Sequence, residues 1–183
     1  MRELSLHIMD LAQNCVKAGA SLMELRVEED DQKDTLLISI KDNGCGMDEE
    51  FARRVESPFT TTRTTRKVGL GIPMFKENAL LTGGDFHLTT KKGVGTEICA
   101  VFVLSSIDRM PMGDLAGTVL LLVQANPKMD IRLDVRVNEN SYSFDTREVR
   151  QVLGDDVPLD LPEVSAWMQE NLTEGIEALH GGM

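Results

Sequence analysis

Residues 35–47, with the sequence TLLISIKDNGCGM, constrain the fold of this chain more than any other stretch. Leu36, Ile38 and Ile40 recur at every second position, which predicts a β-strand with one strongly buried face. Asp42 continues this phase, so its carboxylate is expected to point into the same apolar face, where an unpaired charge is costly. The glycine-containing turn that follows lets the backbone approach a ligand closely. The stretch favours a binding site in which this carboxylate accepts a hydrogen bond from an amino group of a ligand. The alternative is an ordinary exposed turn.

A helix with two distinct faces is predicted upstream, over residues 4–18. Its apolar face consists of Leu4, Ile8, Leu11, Ala12, Cys15 and Val16 at helical spacing. Asp10, Asn14 and Lys17 stand at positions i, i+4 and i+7, so they share a second face. That polar face is either solvated or part of a site. We interpret His7, on the same helix, as a structural residue.

Two further stretches have the composition of an anion site. Residues 57–67, SPFTTTRTTRK, combine hydroxyls and cations without carboxylates, which suits a mobile loop that closes on phosphates; a surface loop is the alternative. Gly69, Leu70 and Gly71 then precede a helix predicted within residues 68–82. The N–H groups and the positive dipole end at a helix start attract anions. A single Gly-X-Gly is weak support by itself.

The remaining residues predict further strands and helices in two groups. Up to residue 104 we expect strands over 21–29, 85–90 and 96–104 and a short helix over 48–55. After a linker, 105–114, we expect a buried helix (115–124), a strand (129–138) with its hairpin partner, a short helix from 145 and an amphipathic helix (162–179). The inner face of the last helix is predicted to hold Val164, Trp167, Met168, Leu172, Ile176 and Leu179. We find no catalytic constellation in this second group.

Five motifs, in order along residues 4–104, resemble those of the GHKL ATPase superfamily. Their sequences are most similar to the motifs of histidine kinases and anti-sigma-factor kinases. They are an N box (10–18), a first glycine box (42–47), an F box (57–63), a second glycine box (69–72) and a tail (83–86 and 93–97). The resemblance implies an α/β (α+β) two-layer sandwich, the Bergerat ATP-binding fold, with a mixed sheet covered by helices on one face. We expect this ATP-binding domain at residues 1–104 and a C-terminal α/β extension of unknown role at 105–183.

The resemblance also implies roles for individual residues. Asp42 would accept from the adenine amino group, with Thr96 helping to hold a water there, while Gly44, Gly46 and Met47 would shape the adenine pocket. Asn14 would hold Mg²⁺, for which an oxygen ligand is suitable. The phosphate contacts would come from Lys17, from Gly69, Leu70 and Gly71, and from an ATP lid containing Thr60, Thr61, Thr62 and Arg63.

Three departures from the family pattern affect the expected activity. Hydrolytic members carry Glu four residues before the N-box Asn, whereas this chain has the shorter Asp10, so we expect a catalytic base with weak ATPase activity. Many histidine kinases have an earlier glycine at the position of Lys67, which could itself reach a phosphate. Only a few residues precede the N box, so we expect no phosphoacceptor helices and not a complete histidine kinase.

Charge and composition limit the partners. A formal net charge of −11 disfavours nucleic acid, and no apolar stretch approaches the ~18 residues of a membrane span. Three widely spaced cysteines are typical of a reduced, cytoplasmic protein. We therefore expect an ATP-binding regulatory protein that acts on a separate protein partner by phosphotransfer or weak hydrolysis. The alternatives are an ATP-dependent conformational switch and a non-catalytic interaction module; a homodimer is also left open.

Overall fold

The structure is a computed structural model, and it describes residues 2–56 and 70–181. Its elements in chain order are α1 (Leu4–Lys17), β1 (Leu22–Asp30), β2 (Thr35–Asp42), α2 (Glu49–Val55), α3 (Gly71–Leu81), β3 (Asp85–Lys91), β4 (Gly95–Val103), α4 (Leu115–Ala125), β5 (Asp130–Val137), β6 (Asn140–Asp145), α5 (Thr146–Leu153) and α6 (Pro162–His180). These bounds agree with the predicted elements to within a few residues. Asp48 caps α2 by accepting from the N–H of Phe51, and Asp145 caps α5 by accepting from Arg147.

The strands form one six-stranded sheet in the order β3-β4-β2-β1-β5-β6. Neighbouring strands run antiparallel except β1 and β5, which are parallel. The sheet is therefore mixed, as predicted. Three pairs, β1–β2, β3–β4 and β5–β6, are hairpins, whereas β2 pairs with the non-consecutive β4 and the β1–β5 pairing joins segments more than a hundred residues apart in sequence.

Alternation along the strands directs one face of the sheet toward the helices. The buried strand residues include Met23, Leu25 and Val27 from β1, Leu36, Ile38 and Ile40 from β2, Ala100 and Phe102 from β4, and Ile131, Leu133 and Val135 from β5. Helix α1 packs beside α3 and α4, and α4 packs beside α6. The intervening strand residues, such as Arg26 and Glu28 of β1, carry charges on the other face. This two-layer α/β arrangement confirms the predicted fold class.

The second half of the chain continues the same sheet. Strand β5 pairs with β1, and β6 forms the edge beyond it. The connecting segment also reaches α1, because Pro111 and Met112 accept hydrogen bonds from the N–H groups of Leu4 (2.9 Å) and Ser5 (2.8 Å). The division into residues 1–104 and 105–183 stays a prediction.

One core prediction for α6 is wrong. Trp167 was expected on the inner face, but 49% of its surface is exposed. Val164, Met168 and Leu172 are buried and define the inner stripe of this helix. Trp167 precedes Met168 by one residue, a rotation of about 100° around the helix, which carries its indole out of the interior.

Candidate functional site

A cavity of about 710 Å³ lies between α1, α2, α3 and the sheet. Its described wall is mostly apolar and includes Leu11, Ile40, Phe51, Val55, Ile72 and Ile98. Its polar lining includes Asn14 and Lys17 from α1, Asp42 from β2 and Thr96 from β4. A largely apolar cavity of this size with a few convergent polar groups is typical of a small-molecule site.

Four lining residues, Asp42, Gly46, Met47 and Thr96, together with Gly44 and Thr90 directly behind them, are here called the sheet end of the cavity. Asp42 and Thr96 stand directly opposite each other on β2 and β4, and both line the cavity. The carboxylate of Asp42 accepts a hydrogen bond of 2.8 Å from the N–H of Gly44, which fixes one of its oxygens. The predicted phase is confirmed, since Asp42 follows the buried Ile40 into the cavity wall.

The glycine turn at the sheet end has no space for side chains at two positions. Gly46 has φ +64°, and a Cβ added there would lie 2.1 Å from the carbonyl oxygen of Lys91. A Cβ at Gly44 would lie 2.7 Å from the Cβ of Ala18, at the end of α1. The N–H of Cys45 donates to the carbonyl of Ala18 at 2.9 Å. The two glycines therefore let the turn pack against the end of α1 and against the β3–β4 hairpin.

A threonine hydroxyl connects this turn to the strand behind it. Thr90 Oγ1 accepts from the N–H of Met47 (2.9 Å), donates to the carbonyl of Gly95 (3.1 Å) and lies 2.9 Å from Thr96 Oγ1. Sequence reasoning missed Thr90, because one threonine in an alternating strand carries no local signal of this role. Its position shows only once the β3–β4 register places Thr90 opposite Thr96.

A second group, here called the helix end, consists of Asn14 and Lys17 of α1, with Asp10 of the same helix and Leu70 and Gly71 at the start of α3 beside them. Asn14 and Lys17 line the cavity. Within the described residues, neither side chain makes a hydrogen bond or an ion pair. Helix α3 begins without a side-chain cap at Leu70, so its first N–H groups have no capping oxygen from that residue.

Asp10 lies one turn before Asn14, and its carboxylate packs against the start of α3. A Cβ added at Gly71 would lie 2.5 Å from Asp10 Oδ2, so a side chain at position 71 would displace this carboxylate. A negative charge at a helix N-terminus is favourable. Asp10 is absent from the described cavity wall, which leaves two roles open: support for α3, and action on a group bound near Asn14.

Two other ionisable side chains on α1 are buried and neutral. Burial, together with the nearby carboxylate of Asp42, raises the pKa of the Cys15 thiol. Cys15 therefore stays a thiol rather than a reactive thiolate. Burial lowers the pKa of His7, which packs near Phe75 with its Nε2 at 3.1 Å from Asn78 Nδ2. His7 thus bridges α1 and α3 in the interior, consistent with a structural residue.

Part of the predicted site lies outside the described residues. This applies to Thr60, Thr61, Thr62, Arg63, Lys67 and Gly69. The structure brings together Asn14, Lys17, Asp42, Gly46, Met47 and Thr96 around the cavity and places Gly44, Asp10, Leu70 and Gly71 beside it. In the described residues, no group of three or more His, Cys, Asp or Glu side chains is arranged to hold a metal ion.

The fold and the cavity define a two-layer α/β protein with a candidate ligand site between its helices and its sheet. The sequence model of the family described as "Histidine kinase-, DNA gyrase B-, and HSP90-like ATPase" matches residues 2–106. The chain belongs to this family. The predicted membership of the GHKL superfamily is confirmed.

Individual relatives are bacterial sensor kinases. The chain is 34% identical over 105 residues to the sensor protein kinase FleS of Pseudomonas aeruginosa, covering 57% of this chain and 25% of that protein. It is 31% identical over 97 residues to the sensor histidine kinase YvrG of Bacillus subtilis, covering 51% of this chain and 17% of that protein. The chain thus matches a quarter or less of the length of these relatives.

Among solved structures, the fold is similar to the ATPase domain of Aquifex aeolicus MutL complexed with ADP. The TM-score is 0.51 at 14% sequence identity, and the likeness covers 84% of this chain and 69% of that one. Because residues 2–106 make up much less than 84% of the chain, this likeness in fold extends into the second half. None of the helices in the described ranges is both long and apolar enough to cross a membrane.

Proposed function

We propose that the chain binds Mg-ATP in this cavity and acts in the cytoplasm as a regulatory ATPase of the histidine-kinase type. It works on a separate protein partner, by phosphotransfer or by weak ATP hydrolysis. The observation that carries the proposal is the pairing of Asp42 with Thr96 in the wall of the 710 Å³ cavity. Family membership supports the choice of ATP as the ligand.

The adenine ring belongs at the sheet end. The carboxylate of Asp42 is an acceptor for the exocyclic amino group, and the apolar wall at Ile40 and Ile98 suits the faces of a flat ring. The absence of side chains lets the turn approach the end of α1 at Gly44 and the β3–β4 hairpin at Gly46, which supports a fixed position for this turn beside the ring.

The triphosphate belongs at the helix end. Asn14 offers an amide oxygen to Mg²⁺, and Lys17 offers a cation to the phosphates. The start of α3 at Leu70 and Gly71 supplies N–H groups and a positive dipole end. Gly69, Lys67 and residues 60–63 would complete these contacts. When bound, Mg²⁺ would neutralise phosphate charge.

Asp10 is the residue we propose as the general base for hydrolysis. It is one helical turn from Asn14, on the same face of α1. A base must come within hydrogen-bond reach of the water it activates, and its carboxylate is one methylene shorter than glutamate. Weak turnover follows from that shorter reach.

A second candidate is an ATP-dependent conformational switch without phosphotransfer. The observation that favours it is the continuous sheet, in which β5 pairs with β1 of the ATP-binding part. A change at the nucleotide site could reach the extension, residues 105–183, through this pairing. A homodimer would be one form of such an assembly.

Two measurements test the proposal. ATP with Mg²⁺ at about 100 times its Kd should stabilise the fold by about 2.7 kcal/mol, seen as a rise in melting temperature. No shift with any adenine nucleotide would contradict the proposal and favour a non-catalytic interaction module. Incubation with γ-labelled ATP and candidate proteins from the gene neighbourhood then separates the mechanisms: labelled protein supports phosphotransfer, and free phosphate alone supports hydrolysis or the switch.

A further inference from the structure

We infer that Thr90, which is outside the described wall of the main cavity, determines the purine specificity of the site through Thr96. This inference rests on the proposed binding of ATP. It assigns Thr90 as a positioning residue: its hydroxyl fixes the direction of the hydroxyl of Thr96, a residue that lines the cavity.

The argument begins with the hydrogen-bonding capacity of one hydroxyl. A threonine hydroxyl has one proton to donate and two lone pairs that accept. Thr90 Oγ1 donates its proton to the carbonyl of Gly95 at 3.1 Å. It accepts one hydrogen bond from the N–H of Met47 at 2.9 Å. One lone pair is then left, and it faces Thr96 Oγ1 at 2.9 Å.

This arrangement assigns the proton between the two threonines. We assign the Thr90 proton to the carbonyl of Gly95, and the hydroxyl of Thr96 then donates to Thr90, which the 2.9 Å separation of the two hydroxyls allows. The N–H of Met47 can only donate, so it occupies one lone pair of Thr90 and leaves the other for Thr96. The lone pairs of Thr96 are therefore the groups left to face the cavity.

The sheet end consequently offers acceptors to the ligand. Asp42 presents a carboxylate, and Thr96, directly opposite on β4, presents hydroxyl lone pairs. An amino group at position 6 of a purine donates to such acceptors, whereas an oxo group at the same position would face them without a donor. A site built to receive a donor discriminates strongly against an analogue that lacks it.

The test compares two nucleotides that differ in this group. Inosine triphosphate (ITP) carries a 6-oxo group and N1–H in place of the 6-amino group and unprotonated N1 of ATP. Calorimetric Kd values for ATP and ITP would be measured in the parent, in Thr90→Val and in Thr90→Ser. The parent should bind ATP at least about 100-fold more tightly than ITP. Thr90→Val frees the Thr96 proton to point at the ligand, so the ITP/ATP ratio of Kd values should fall by about tenfold.

Two controls separate specificity from a general effect on the fold. Thr90→Ser keeps the hydroxyl and should keep the parent ratio. Thr89→Val makes the same chemical change one residue earlier, at an exposed position on the opposite side of β3, and should leave both Kd values unchanged. If Thr90→Val does not fold, Thr96→Val serves instead: it removes the acceptor at the ligand and should also lower the ratio.

The possible failures are distinct. A parent that binds no nucleotide contradicts the proposed function itself. A parent that prefers ATP, with an unchanged ratio in Thr90→Val, overturns the role of Thr90 and leaves ATP binding intact. An equal loss of affinity for ATP and ITP also overturns it, because that result indicates a structural role for Thr90 only.

Discussion

The two ends of the cavity differ in how their polar groups are satisfied. At the sheet end, Asp42 accepts from the N–H of Gly44, and Thr90 accepts from the N–H of Met47 and lies within hydrogen-bond distance of the Gly95 carbonyl. At the helix end, the side chains of Asn14 and Lys17 have no hydrogen bond or ion pair with any described residue. The first end is held in place by the fold, and the second holds groups that no described residue binds.

This difference suits the sheet end to the base of a nucleotide and the helix end to its phosphates. A preorganised end recognises a rigid group at little entropic cost, which suits a planar base. Unpaired donors and acceptors suit a charged, flexible group that arrives with its own metal ion. Changes at the sheet end should therefore act on folding and specificity, and changes at the helix end should act on phosphates and turnover.

The largest expected effect is on folding, at the glycine turn. Gly46→Ala forces an L-residue into φ +64° and places its Cβ 2.1 Å from the carbonyl oxygen of Lys91. We expect a loss of more than about 4 kcal/mol in the free energy of unfolding, measured by urea denaturation. The matched control is Gly19→Ala, with φ +71° and nothing within 4 Å of the added Cβ. That change should cost only the backbone strain of about 1–2 kcal/mol. Equal losses in the two variants would show that the turn is not held against the β3–β4 hairpin.

The next effect is on turnover, at the helix end. Asp10→Asn keeps size and removes the base, so ATP hydrolysis should fall by about 10²-fold or more while nucleotide affinity stays largely unchanged. Asp10→Glu, the matched change that keeps the charge, should hold or raise turnover. Steady-state phosphate release measures both. An Asn variant that hydrolyses ATP like the parent would confine Asp10 to support of α3 and favour the switch.

The smallest effect is on phosphate affinity. Lys17→Met removes an exposed cation from the cavity rim, so ATP binding should weaken by about 1 kcal/mol, and less at high salt. Adenosine, which lacks phosphates, should bind the parent and the variant equally well. Lys128→Met makes the same change at an exposed position in the turn after α4 and is the control. If adenosine affinity fell by the same amount, Lys17 would act on the nucleoside, and its assignment to the phosphates would be wrong.

Much of this arrangement could be predicted from local sequence. The alternation of Leu36, Ile38 and Ile40 predicts β2, and its phase predicts that Asp42 faces the cavity. The helical spacing of Asp10, Asn14 and Lys17 predicts their common face on α1. In each case the information lies within a few residues, where backbone periodicity alone fixes direction.

Contacts between distant segments could not be predicted in this way. The parallel pairing of β1 with β5 depends on the whole arrangement of the sheet. The role of Thr90 depends on three partners from other segments, and the exposure of Trp167 depends on which face of α6 meets α4 and the sheet. These features follow from tertiary packing, which single-sequence patterns do not contain.

The measurement that tests the central claim most directly is calorimetric titration of ATP into the parent and Asp42→Asn. The amide oxygen of Asn can still accept from the N–H of Gly44, so the turn should stay in place. The amide lacks the charge and the second acceptor of the carboxylate, so ATP affinity should fall by about 2–3 kcal/mol, roughly 30- to 150-fold in Kd. A variant that binds ATP as tightly as the parent would contradict the assignment of the sheet end as the adenine site.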